Sequence, residues 1–227
     1  KKFDREHEIN IITGADIEAW DTYDMIVFAP TKYFDRMIFF DAIERLNLLY
    51  AKGTELIIIV PQERLKDFRK KMDQDLRGLK TISSTRSNTV FSTVLRGDEA
   101  KNKWSDRVAN VAVSTMNAEY TMRTRPGVFS HGRADTGGVA LSEAVDVTAG
   151  ENILDLGCGA GLIGLALAKR QLNERPDHGG SVVLVDSNIR AVECCKENIK
   201  LNGFKNCEAI ASDRYETEKR FDLVVGN

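Results

Sequence analysis

Residues 153–170 read ILDLGCGAGLIGLALAKR, and this stretch limits the possible folds more than any other part of the chain. An apolar run of strand length reaches an acid and three spaced glycines, then gives way to an apolar pattern of helical period. A strand buried on both faces, a glycine turn and a helix in direct succession belong to a parallel sheet in an α/β fold. In such a sheet, ligands bind beyond the carboxyl ends of the strands. Gly157, Gly159 and Gly161 stand at such an end. They allow a tight turn and a close approach of ligand to main chain, and the following helix offers free N–H groups.

The same rhythm fills the rest of the chain. Downstream come the loop NERPDHGG, the strand SVVLVD, the helix RAVECCKENIKLNG and the strands EAIASD and FDLVVGN. Upstream, YDMIVFAP reads as a buried strand. DRMIFFDAIERLNLLYAKG reads as a helix with Met37, Phe40, Ile43 and residues 46–48 at helical spacing, stopping at Gly53. TELIIIVP is a second strand, ERLKDFRKKMDQDLRG a charged amphipathic helix and TVFSTVLRG a third strand. This alternation predicts parallel pairing throughout. Between the two α/β units, VANVAVSTMNAEYTMRTRP predicts a hairpin turning at residues 116–119. The loop RPGVFSHGRADTGG and a helix over residues 139–147 follow it. The change of pattern puts a boundary near residues 101–113 and divides the chain into units 1–107 and 108–227. The strands YDMIVFAP and FDLVVGN echo each other, Asp24 matching Asp222 and Ala29 matching Asn227. Duplication and chance both explain so short a match.

The glycines alone leave the ligand open. Gly159, Gly161 and Gly164 satisfy the G-x-G-x-x-G pattern of dinucleotide sites. Gly164, however, falls inside the apolar helical pattern, where packing explains it. Asp155, just before the first glycine, would repel a pyrophosphate but suits a ligand with positive charge. No Gly-Lys-Ser/Thr follows, so the phosphate loop of nucleoside triphosphatases is excluded. S-adenosylmethionine (SAM) carries a sulfonium, an amino group and a ribose diol, and no phosphate. Asp186, ending VVLVD ahead of Ser187, is placed to accept both ribose hydroxyls. Asp213, ending AIASD, is placed for the adenine amino group. The rival explanation is that Asp155 and Asp186 merely cap the helices that follow them.

Composition narrows the class. At 42% hydrophobic and 29% charged residues the chain can build a core. Its longest apolar runs, such as residues 56–60, are far too short to cross a bilayer, and KKFDREHEIN lacks the apolar stretch of a secretory signal. Cys158, Cys194, Cys195 and Cys207 show no metal spacing and read as reduced thiols of a cytoplasmic protein, with no metal site expected. A net charge of −2 does not announce a nucleic-acid partner, though a local basic patch would suffice. Arg123, Arg125 and Arg133 bracket the loop before the 139–147 helix and suit RNA phosphates; a solvated loop accounts for them equally well. His131 reads as an exposed loop histidine, and residues 198–203 as a helix end capped by Gly203.

ILDLGCGAGLIG, VVLVDSN, AIASD and FDLVVGN resemble the successive motifs of class I SAM-dependent methyltransferases, over about the last hundred residues. TRPGVFSHGRADTGGVALSEAV resembles the corresponding segment of the ribosomal RNA guanine-N2 methyltransferases of the small-subunit RsmC type and their large-subunit relatives. The resemblance implies a Rossmann-like α/β domain that binds SAM through Asp155, Gly157, Gly159, Gly161, Asp186, Ser187 and Asp213, with Phe129 packed over the cofactor. It implies ribosomal RNA or a ribosomal subunit as partner, with Arg125, Arg133 and Asp135 on the substrate side. It also implies a smaller first half resembling a methyltransferase domain that has lost its cofactor motif. The family's catalytic motif is Asn-Pro-Pro and an aromatic. Asn227 matches its first residue and is the expected catalytic residue, and a domain incomplete at its C-terminus is expected. Related motifs serve protein glutamine and DNA adenine methylation. The motifs equally admit a small-molecule acceptor, or a non-catalytic RNA-binding or assembly factor that keeps the fold.

Overall fold

The computed structural model describes residues 22–227 except 33, 98–106, 178–179 and 215–217, with backbone alone at 75. The expected domain boundary thus falls partly outside the described residues, as does part of the loop NERPDHGG. The first half runs β1 (Met25–Phe28), α1 (Arg36–Leu49), β2 (Glu55–Pro61), a short 3₁₀ turn, α2 (Leu65–Asp75), β3 (Lys80–Ser84) and β4 (Asn88–Val94). Asp35 starts α1 by accepting the Met37 and Ile38 amides at 2.7 and 3.1 Å. Met37, expected on the inward stripe, is exposed, and Phe39 takes the deep position, stacked on Phe68 with ring centroids 4.2 Å apart. Leu56, Ile58 and Val60 alternate onto the same core.

The sheet order is β1-β2-β4-β3, and only β1 and β2 are parallel. The expectation of parallel pairing for the third strand is corrected: β4 runs antiparallel to β2 and to β3. The cause is β3 itself, exposed along its whole length and so without an apolar signature. A tight turn joins it to β4, where the Thr85 hydroxyl donates to Asn88 O at 3.0 Å and accepts the Ser87 and Asn88 amides.

The second half begins with the expected hairpin, β5 (Ala109–Thr115) and β6 (Ala118–Thr124), turning through Asn117 at φ 58°. Then come α3 (Thr136–Ala144), β7 (Ile153–Leu156), α4 (Leu162–Glu174), β8 (Val182–Asp186), α5 (Ile189–Leu201), β9 (Cys207–Ala211) and β10 (Leu223–Gly226). The helix expected over 139–147 starts three residues earlier, because Asp135 accepts the Gly138 amide at 2.8 Å and nucleates the turn through Gly137 and Gly138. β10-β7-β8-β9 is parallel throughout. β8 and β10 flank β7 on opposite sides, so the strand order reverses at β7. The crevice of the sheet therefore opens between the ends of β7 and β10, at Gly157 and Asn227.

Val111, Val113, Tyr120 and Met122 of the hairpin pack with α4 and α5 in one core. A separate cluster fills the first half, its last member being Leu95. Among the described residues no helix is long and apolar enough to cross a membrane. Replacing Phe39 by Ala is expected to lower unfolding free energy by about 3–5 kcal/mol, since no neighbour can refill that space. Urea titration would measure it, and a loss under about 1 kcal/mol would contradict this account of the core.

Candidate cofactor cleft and active site

The turn after β7 continues the sheet ladder. The Gly157 and Cys158 amides both donate to Val185 O, at 2.8 and 3.0 Å, and the Gly159 amide donates to Asp186 Oδ2 at 2.8 Å. Gly157 and Gly159 sit at φ 72° and 55°, and the position of an added Cβ is open at both. Their backbone is therefore the bare floor of a cleft. Gly161 and Gly164 play another part. A Cβ at Gly161 would lie 2.8 Å from Cys195 Sγ, and one at Gly164 2.7 Å from Leu184 Cδ2. Packing, not ligand contact, explains the final glycine of the G-x-G-x-x-G match.

The acids divide in the same way. Asp155, 1% exposed, lies beneath the turn instead of facing the cleft. Its Oδ2 accepts the Gly164 amide at 2.8 Å, and its Oδ1 is buried with no hydrogen-bond partner among the described residues. This is the capping geometry that the sequence offered as the alternative to a cationic ligand. Burial pushes its carboxyl up to about 6; the Gly164 amide opposes this, and the charge of Asp186 adds to it. Asp186 remains accessible, holding Gly159 with Oδ2 and the Asn188 amide with Oδ1 at 2.8 Å. Ser187 is exposed beside it and Asp213 is exposed past the end of β9; Asp186, Ser187 and Asp213 all stand outside the lining of the cleft, Asp186 touching it through the Gly159 amide.

The opposite wall is the loop before α3. Phe129, Ser130, Arg133 and Asp135 line the cleft with Gly157, Gly159 and Asn227. Phe129 is 70% exposed, an apolar ring turned to open space over the glycine floor. Ser130 adopts φ 54° and donates through Oγ to Asp135 Oδ1 at 3.1 Å. Asn227 donates through Nδ2 to Asp135 Oδ2 at 3.1 Å. The Gly138 amide, then Ser130, Asn227 and the charge of Arg133 hold the Asp135 carboxyl below its ordinary range. Asp135 is thus an ionised acceptor that claims the Asn227 NH₂ group and leaves Asn227 Oδ1 for a donor at the rim.

The basic residues do not act alike. Arg123 and Arg133 are exposed, whereas Arg125 is 17% exposed and paired with Glu197. His131 is half-buried and bonded to Thr124 Oγ1 at 3.0 Å, not freely solvated, and burial lowers its pKa. Asn198, assigned to an ordinary helix end, is fully buried; its Nδ2 donates to Arg123 O and Ala160 O at 2.9 Å, pinning hairpin and glycine turn together. Gly203 takes φ 69°, as expected of a cap. A polar residue in the buried stripe of α5, one turn beyond Cys194 and Cys195, was the available signal for Asn198. Asn188 and Arg190 had no comparable signal.

Residues 119–227 match the family model of the methyltransferase small domain. This part of the chain is similar to the methyltransferase small domain, and its fold is of the Rossmann-like α/β class. The chain is 30% identical over 177 residues to ribosomal RNA small subunit methyltransferase C of Shewanella loihica, covering 77% of this chain and 49% of that one. It is 30% identical over 217 residues to the protein of the same name from Alcanivorax borkumensis, covering 90% and 59%. The fold matches the T. thermophilus 16S rRNA N2 G1207 methyltransferase (RsmC), solved with AdoMet and guanosine, with a TM-score of 0.73 at 23% identity over 93% of this chain and 56% of that one. The chain spans about half the length of the curated relatives it matches. The resemblance drawn from the motifs, to RsmC-type class I methyltransferases, is borne out.

The buried Asp155 makes a pH test possible. Unfolded, its carboxyl releases its proton near 3.8; folded, near 6. Between these values the folded state keeps a proton that the unfolded state has lost, so stability falls as pH rises through this window and is level above it. A difference of this size corresponds to about 3 kcal/mol. Asp155→Asn keeps an acceptor for Gly164 and removes the titration. Its stability relative to the parent is expected to rise by about 3 kcal/mol between pH 4 and 7 in urea titrations. Parallel pH profiles for the two proteins would refute the assignment.

Proposed function

We propose that this chain is the SAM-binding part of an enzyme that methylates the exocyclic N2 amine of a guanine in ribosomal RNA. One observation carries the reading: Asn227, its amide oriented by an ionised Asp135, stands at the rim of a cleft floored by the bare backbone of Gly157 and Gly159. The residues present suit SAM. Phe129 offers an apolar face to an adenine or a base and Arg133 a cation to a carboxylate, and Asp186, bonded to the Gly159 amide at the edge of the floor, offers remaining lone pairs to a ribose diol. When bound, SAM supplies the electrophilic methyl group.

An exocyclic amine conjugated to a purine is a weak nucleophile. Asn227 Oδ1 accepts one of its N–H bonds, localising the lone pair on nitrogen and fixing its direction. Alignment supplies most of the rate gain. Asp135 keeps the amide from flipping, since a reversed amide would present NH₂ to the amine. A base within a helix must be flipped out or already unpaired to reach the rim. In this reading residues 108–227 are the catalytic unit. Residues 1–107 are a methyltransferase-like half in which Ala29 and Pro30 follow β1 where Asn227 follows β10. The small-subunit RNA named for the relatives is the favoured substrate.

Calorimetric titration tests the cofactor. SAM is expected to bind saturably and NAD not at all, and Asp186→Ala should weaken SAM by about 10–100-fold through loss of a charged acceptor. NAD binding in place of SAM would overturn the reading. Asn227→Ala should leave SAM affinity within about twofold and lower methyl transfer to small-subunit RNA by about 10²–10³-fold. Transfer to protein with none to RNA would change the acceptor class.

A further inference from the structure

α1 turns one face toward the second half and the segment that leads into it. Ile38, Asp41 and Glu44 recur at three-residue spacing and share that face. Glu44 Oε1 pairs with Arg107 Nη2 at 2.5 Å, just ahead of the hairpin. Ile38 lies so close to the loop that a Cβ on Gly127 would sit 2.3 Å from its Cγ1. Asp41, fully buried, pairs through Oδ2 with Arg190 Nη1 at 2.6 Å, and the same nitrogen donates to Pro126 O at 3.0 Å. Arg190 is in the first turn of α5, four residues beyond Asp186. Asn188 donates from Nδ2 to Gly127 O at 2.8 Å and from its backbone to Asp186 Oδ1. Two consecutive carbonyls at the root of the loop are therefore held by residues adjoining Asp186. Phe129 and Ser130, two and three residues beyond Gly127, form the cleft wall.

We propose that Asp41 and Arg190 are positioning residues of the cleft: the buried pair fixes the root of the 126–130 loop, so that the first half shapes a site whose lining comes wholly from the second. The Asp41 carboxylate keeps a buried guanidinium charged, compensated and aimed at Pro126 O. Without it, the guanidinium loses the buried carboxylate that holds Nη1 against Pro126 O, and its grip on the carbonyl loosens. The effect on ligand affinity rests on the cofactor reading above, whereas the effect on the loop does not.

The test uses the whole chain in two variants, Asp41→Asn and the apolar pair Asp41→Leu with Arg190→Met. The second removes both buried charges and leaves neither unpaired, a change that buried ion pairs often tolerate without loss of fold. Amide hydrogen exchange over residues 127–132 is expected to quicken about tenfold in both while β8 is unchanged, because only the local opening is affected. The SAM dissociation constant is expected to rise about tenfold. A folded apolar-pair variant with parental exchange in the loop would overturn the proposal, and so would faster exchange with unchanged SAM affinity. If the unaltered chain binds no SAM, the cofactor reading fails by itself; faster loop exchange in the variants would still support the anchoring, and parental exchange would still overturn it.

Discussion

The whole site hangs on the way β8 receives the backbone of the glycine turn. Leaving β7, the chain adopts left-handed conformations that no regular ladder can satisfy, yet Val185 O takes two of its amides and the Asp186 carboxylate takes the amide of Gly159. A buried amide left unpaired costs about 1–3 kcal/mol, so an open turn of this kind would collapse without these acceptors. Asn198 completes the support by holding Ala160 O from α5. Because the acceptors lie at the end of the neighbouring parallel strand, the turn exists only where the sheet is already in register. The glycines make the shape possible, and β8 and α5 make it persist.

This explains which parts of the molecule were legible in the sequence. β7, α4, β8 and α5 were legible because buried strands and apolar stripes on helices leave a local period, and β10 because its run is apolar, although Val225 alone in it is buried. Asp186 and Asn227 were legible because they end such strands. β3 was not, since an exposed edge strand has no apolar pattern, and with it went the antiparallel half of the first sheet. Asp155 was legible as a strand-end acid, but its burial under α4 was not, because its spacing to Gly164 depends on the turn geometry. Arg125 looked like a free cation until α5 brought Glu197 beside it. The echo between β1 and β10 keeps the strand but not its buried face, for Val225 is 6% exposed and its match Val27 is 58% exposed.

The junction between the halves is polar where an apolar patch would have held it at least as firmly. A buried ion pair adds little net stability over a well-packed apolar pair, because both charges must be desolvated. What it adds is direction. Arg190 reaches Asp41 and Pro126 O from one nitrogen, so a small sliding of α1 breaks a charged contact, whereas apolar surfaces would re-pack. With Ile38 on Gly127 the helix meets the second half at two spaced points, and Glu44 on Arg107 ties it to the segment that leads into the hairpin, so its rotation and its height are both restrained. Such a junction is suited to specifying geometry at the adjoining loop.

The same economy is visible at Asp135. One carboxylate caps α3, restrains Ser130 in an unfavourable backbone region and orients the amide of Asn227. These tasks are coupled through charge. The Gly138 amide keeps the carboxyl ionised, and an ionised partner on Nδ2 draws the Asn227 amide toward its dipolar form, strengthening Oδ1 as an acceptor. The start of a helix thus governs the side chain at the end of a distant strand, and Asn227 acquires its direction from a loop that α1 in turn helps to hold.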